Sequence, residues 1–134
     1  KVFKNMLYVV HLWDKYIWGI GKLIRGYLKY NHGIGLDLSK LNFYNAHFDG
    51  VDLQYANLKE TNLFSASLIN ADLRGACLEK ANLKGACLDA SIWSERDISK
   101  AILQLKEANF SYILIEKGNK LEVMERKKLF PDEI

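Results

Sequence analysis

Proline is almost missing from this chain, with Pro131 the single instance in 134 residues. Cysteine and methionine occur twice each and histidine three times. Two cysteines, Cys77 and Cys87, do not make a disulfide framework. His11 and His32 have no cysteine or histidine partner at zinc-binding spacing, so no metal and no cofactor is expected. No uncharged run reaches the ~20 residues of a membrane span. Asn5–Trp13 is apolar and follows lysines, but Asp14-Lys15 closes it without a small-residue cleavage site, so it does not read as a secretory signal. A cytoplasmic location is the expectation, and the start at Lys1 rather than Met points to something trimmed upstream. A phosphate-binding loop, GxSxG and GxGxxG are all lacking.

What is present is a chain of ordinary globular hydrophobicity, 49%, with a net charge of +3. That composition argues against wholesale disorder, and so small a charge does not imply direct nucleic-acid binding. The charge is unevenly spread. Lys1–Gly35 carries six bases against Asp14, a balance of +5. Leu36–Glu95 carries five bases against eight acids, giving −3, and the remainder eight against seven, giving +1.

The middle segment repeats every five residues. A large residue stands at the centre of each unit: Leu38, Phe43, Phe48, Leu53, Leu58, Leu63, Leu68, Leu73, Leu78, Leu83, Leu88 and Trp93. Two places earlier the residue is usually small, as at Ala46, Ala56, Ala66, Ala71, Ala76, Ala81 and Ala86. Five matches neither the helical period near 3.6 nor the strand period of 2. A fixed period of this kind signals a solenoid of stacked turns.

The pattern Ala-Asp/Asn-Leu-X-X resembles the pentapeptide-repeat family over twelve consecutive units in residues 36–93. The resemblance implies a mainly β fold, a short right-handed quadrilateral β-helix with one unit per face. Twenty residues then make one coil, and the segment makes about three. The central and small residues would point inward and form the structural core. Bulk at Phe43, Phe48 and Trp93 would plug the two ends. Residues twenty apart would stack, which sets Lys40, Glu60 and Lys80 in a column of alternating charge and Lys59 under Glu79. Asn42, Asn62 and Asn82 would form an amide ladder. The cysteines fall on opposite faces, too far apart for a disulfide. His47 and Cys87 share a face but sit two coils apart, beyond the ~3 Å contact of a nucleophile and its base. No catalytic residues are therefore expected, and the protein is read as not an enzyme. Tyr44 and Phe64 stack on an outer face above Lys84, beside Asn45 and Ser65, as a candidate binding patch.

A column of ~14 Å has open ends and needs caps. Residues 1–35 form an N-terminal helical segment with an apolar stripe through Val9, Trp13, Ile17, Ile20 and Ile24. It covers the first coil or the outer aromatics, or, through residues 1–30 with their bases, Trp13 and Trp18, lies on a membrane surface. Residues 94–134 form a C-terminal cap. Ser94-Glu95-Arg96-Asp97 reads as a capping box opening a helix with Ile98, Ala101, Ile102, Leu105 and Ala108 on one face. Phe110–Glu116 and Leu121–Arg126 read as a hairpin joined through Lys117–Lys120, and Lys127–Ile134 reads as loose.

The preferred function is a non-catalytic protein–protein interaction or scaffold module with a protein partner, within a larger assembly. Two alternatives accompany it. Some pentapeptide-repeat proteins mimic DNA and bind type II topoisomerases, protecting them from quinolones. Duplex DNA carries one charge per ~1.7 Å, so a balance of −3 over such a short column opposes that reading. The other alternative is a peripheral membrane module that uses the basic aromatic N-terminal segment.

Overall fold

The computed structural model describes residues 35–133. Of the helical segment expected at 1–35, with its membrane or capping role, residues 1–34 lie outside the described residues, as do His11 and His32. Through 35–92 the backbone is a succession of isolated parallel bridges and tight turns. Bridges join residues twenty apart in four columns: Asp37–Asn57–Cys77, Asn42–Asn62–Asn82, His47–Ser67–Cys87 and Asp52–Asp72–Ile92.

Each level bonds to the next through three main-chain groups per face. Leu58 N–H donates to the Cys77 carbonyl at 2.8 Å, Glu60 N–H to the Glu79 carbonyl at 2.9 Å, and Cys77 N–H to the Ala56 carbonyl at 2.9 Å. At each corner from Phe43 to Leu88 the central residue's carbonyl accepts from the first residue of the next unit, as Phe43 does from Ala46 N–H at 3.0 Å. The fifth residue of every unit from Lys40 to Ala90 has a positive φ between 57° and 72°. Such a turn has φ above zero at its third residue, as a type II turn does.

The second residue of the unit stabilises that corner. Side-chain oxygens of Asp52, Asn57, Asn62 and Asp72 accept the main-chain N–H two residues on, at 3.1 to 3.2 Å. Asp37, Asn42 and Asn82 do the same. These are Asx turns, in which a short polar side chain stands in for a backbone acceptor. The Asp/Asn preference at this position thus has a local cause in addition to stacking.

The twelve central side chains are all at most 5% exposed. Phe43 and Phe48 meet edge to face at 5.1 Å and 87°, filling the lower end. Trp93 fills the upper end, its Nε1 donating to the Ser91 hydroxyl at 2.8 Å. Where the small position is Thr61 or Ser91, the buried hydroxyl donates to the preceding central residue's carbonyl at 2.6 Å. Polar residues enter the core there because they satisfy themselves.

After the repeats come β1 (Ile92–Ser94), α1 (Glu95–Ile98), α2 (Ile102–Glu107), β2 (Tyr112–Lys117), β3 (Lys120–Glu125) and α3 (Arg126–Leu129). β2 pairs in parallel with β1 and antiparallel with β3. Gly118, at φ +60°, opens a two-residue turn between β2 and β3, the place where such turns favour glycine. Asn109 bridges Cys87 and Leu114 pairs with Ile92, so this segment lies on the last level with an offset of twenty-two. Ile98, Ala101, Leu105, Ala108, Phe110, Ile113 and Ile115 are buried in one cluster with Trp93 and Leu88.

Three local expectations are corrected. Ser94 makes no side-chain cap bond, because it ends a strand paired to Glu116; the Asp97 carboxylate instead accepts Gly75 N–H at 3.0 Å. The single helix is two short ones broken at residues 99–101, where Ala101 has left helical geometry at φ −105°, ψ 12°. The end of the chain is not loose. Arg126 donates to the carbonyls of Ala108 and Lys106 at 2.8 Å, holds Glu133, and lies over the rings of Phe110 and Phe130.

Candidate interaction surface

Side chains at the fourth position of each unit project outward along a column. Tyr44 is 59% exposed and Phe64 half-buried. Their rings stack with centroids 5.7 Å apart and planes 9° from parallel. Lys84, exposed, occupies the same position one level up. The Asx bonds at Tyr44, Phe64 and Lys84 come from Asn42, Asn62 and Asn82 at 3.0 to 3.1 Å, which fixes the backbone beneath all three. Asn62 also donates to Asn42 at 3.0 Å. No Asn82–Asn62 amide bond forms, so the ladder has one rung among the described residues.

The charge columns are similarly partial. Lys40 meets Glu60 at 4.0 Å and Lys59 meets Glu79 at 3.6 Å, but Glu60 and Lys80 form no ion pair among the described residues. These exposed pairs contribute little energy; they do neutralise acids along the faces. His47 and Cys87 lie in one column with Ser67 between them. The Ser67 hydroxyl bonds Asp49, and Cys87 is beside Asp89 at 3.8 Å. Cys77 and Cys87 are both free thiols. Among the described residues no group of three acidic, histidine or cysteine side chains is placed to hold a metal.

Sequence reasoning missed Arg74. It donates to Asp72 at 2.9 Å on its own turn and to Glu116 on β2, tying the repeats to the C-terminal sheet. The Asp72 hydrogen bond first, then that of Glu116, hold its guanidinium still more firmly protonated, against a smaller effect of burial. A second surface also went unread. β3 is the edge of its sheet, with Leu121 and Val123 exposed beside Tyr112. A cleft of about 800 Å³ lies between Gly75–Lys80 and the α1–α2 segment.

The profile for pentapeptide repeats matches residues 34–63 and 56–92, with eight copies. Residues 34–92 belong to the pentapeptide-repeat family. A solved structure similar to this pentapeptide-repeat chain is that of a pentapeptide repeat protein from the Arabidopsis thaliana thylakoid lumen. The two are 30% identical, the match covering 52% of this chain and 50% of the other, with a TM-score of 0.46. The chain thus spans about half the length of that neighbour. Among curated proteins nothing matches. No helix among the described residues of this pentapeptide-repeat chain is long and apolar enough to cross a membrane.

Proposed function

We propose that this protein is a non-catalytic interaction or scaffold module: a right-handed, four-faced β-helix of about three coils whose outer surface binds a protein partner within a larger assembly. The observation that carries the reading is the Tyr44–Phe64 stack. An exposed tyrosine ring and a half-buried phenylalanine ring stack on a face whose backbone is held at every level by Asx turns and main-chain bonds. Ordering cost on binding is low for rigid aromatics on a rigid support. The repeat family supports a structural or interaction role in general. Residues 36–93 form the binding column, with 94–134 as its cap.

Neither ring packs in the core, so Tyr44→Ser with Phe64→Ser is expected to leave the melting temperature nearly unchanged. Partners captured from an extract of the source cell by the full chain are expected to be lost with the double variant. Capture that is unaltered by both substitutions removes this face from the proposal.

A further inference from the structure

One rung of the column has no cover. At the middle level Ala56 C=O accepts from above, and Leu58 and Glu60 N–H donate upward. The same three groups one level higher are Ala76 C=O and the N–H groups of Leu78 and Lys80. Among the described residues none of the three has a hydrogen-bond partner. Elsewhere on the top level the returning segment supplies one: Gly85 N–H reaches Glu107, Leu88 N–H reaches Asn109 and Ala90 N–H reaches Tyr112. Ala81 C=O and Leu83 N–H are also open, but neither lines the cleft.

The gap arises because the chain leaves the coil path after β1 and runs through α1 and α2 where a strand would lie. The two helices stand off the rung on side-chain struts. Asp97 accepts Gly75 N–H at 3.0 Å, and Gln104 donates to the Leu78 carbonyl at 3.1 Å. Between them is the cleft of about 800 Å³, floored by Ala76–Lys80 and walled by Trp93 and Leu103. Leu103 is 75% exposed. A row of one carbonyl and two alternate N–H groups in an apolar slot is the template for an added strand.

Charge identifies the occupant. Lys80, Arg96 and Lys100 line the cleft, and neither Lys80 nor Lys100 has an ion pair among the described residues. The acids there are engaged: Glu79 with Lys59 at 3.6 Å, and Asp97 with Gly75 N–H and with Arg96 at 3.9 Å. The chain's own residues 1–35 carry a balance of +5 and are opposed by that rim.

We propose that the cleft takes an extended acidic peptide segment of a partner protein, which pairs with the Ala76–Lys80 edge as the strand that the chain itself leaves out. This deepens the interaction-module reading and rests on it, but uses a surface separate from Tyr44 and Phe64.

The test uses the full chain and an acetylated, amidated seven-residue peptide alternating valine and glutamate. Saturable binding by fluorescence anisotropy is expected, with amide exchange of Leu78 and Lys80 slowed at least about tenfold in the complex. N-methylation of the peptide's alternate amides abolishes binding while keeping its side chains. Lys80→Asn with Lys100→Gln weakens it roughly tenfold; Asn70 already occupies the equivalent corner at φ +60°, so this variant folds. Tyr44→Ser with Phe64→Ser binds the peptide unchanged. No saturation by about millimolar peptide, or equal binding of the N-methylated or lysine-containing peptide, overturns the inference while leaving partner capture by the aromatic face readable separately. Leu78 and Lys80 amides already protected in free protein of doubled mass would give the slot to a second copy and overturn the acidic partner.

Discussion

At the residue scale, the fifth position of each unit is where backbone strain collects. A left-handed conformation costs a residue with a Cβ about 1–2 kcal/mol, yet Lys40, Tyr55, Glu60, Ser65, Lys80 and Ala90 all adopt it. The corner hydrogen bond and the Asx turn one residue away offset part of that cost. The leucine period is legible in the sequence because hydrophobic spacing is a one-dimensional signal. The Asx turns are not, since an acceptor two residues from its donor has meaning only once the corner is known. Gly50 and Gly75 separate strain from crowding. Both have positive φ, but a Cβ at Gly50 meets nothing, whereas at Gly75 it falls against the Tyr55 ring. Gly50→Ala is therefore expected to cost about 1 kcal/mol, and Gly75→Ala clearly more. Tyr55→Ser should remove only the excess at Gly75. Urea denaturation of the three single variants and of Gly75→Ala with Tyr55→Ser measures this, and equal costs at the two glycines would exclude a role for Tyr55.

At the element scale, Arg126 reads in sequence as the last residue of a hairpin strand, with a loose end from Lys127 onward. It becomes an anchor only because Phe110, Ala108 and Lys106 are brought beside it by the return of the chain. Spacing along the chain gives no sign of such a contact. α3 is four residues long, too short to hold itself, so its order depends on that guanidinium. Glu133 completes the clasp. Its hydrogen bond from Arg126, first, and the charge of Arg126 lower its pKa below the ordinary 4.5. A lowered folded-state pKa contributes stability that is present above the unfolded value and lost as pH falls through the folded one. The Phe130 ring signals should therefore move toward unstructured values as pH drops below 4.5, while those of Leu58 and Leu63 stay fixed. Glu133→Gln should move the Phe130 signals part of the way toward unstructured values at neutral pH and weaken their pH dependence; signals and pH dependence identical to those of the intact protein would contradict the clasp. Arg126→Gln should release α3 at every pH.

At the scale of the whole molecule, the column and its C-terminal cover form one hydrogen-bonded stack, not two adjoining units. Gly85, Leu88 and Ala90 N–H all donate to the returning segment, and Ala86 C=O accepts from Asn109. Trp93 is buried in one cluster with Ile98, Leu105 and Ile115 from the same segment. Cutting the chain after Glu95 removes each of these bonds, at about 0.5–1.5 kcal/mol apiece, and exposes an indole that is now 1% accessible. It also uncovers strand edges on two further faces, which invites pairing between copies. A 36–95 fragment is therefore expected to be unfolded or aggregated. A chain ended after Glu125, which loses only the α3 clasp, should melt cooperatively at a lower temperature than the intact protein. Circular dichroism melts with sedimentation distinguish the two. If the 36–95 fragment melted as a cooperative monomer, the five-residue repeats would be sufficient for the fold, and the C-terminal segment would have to be explained by binding alone.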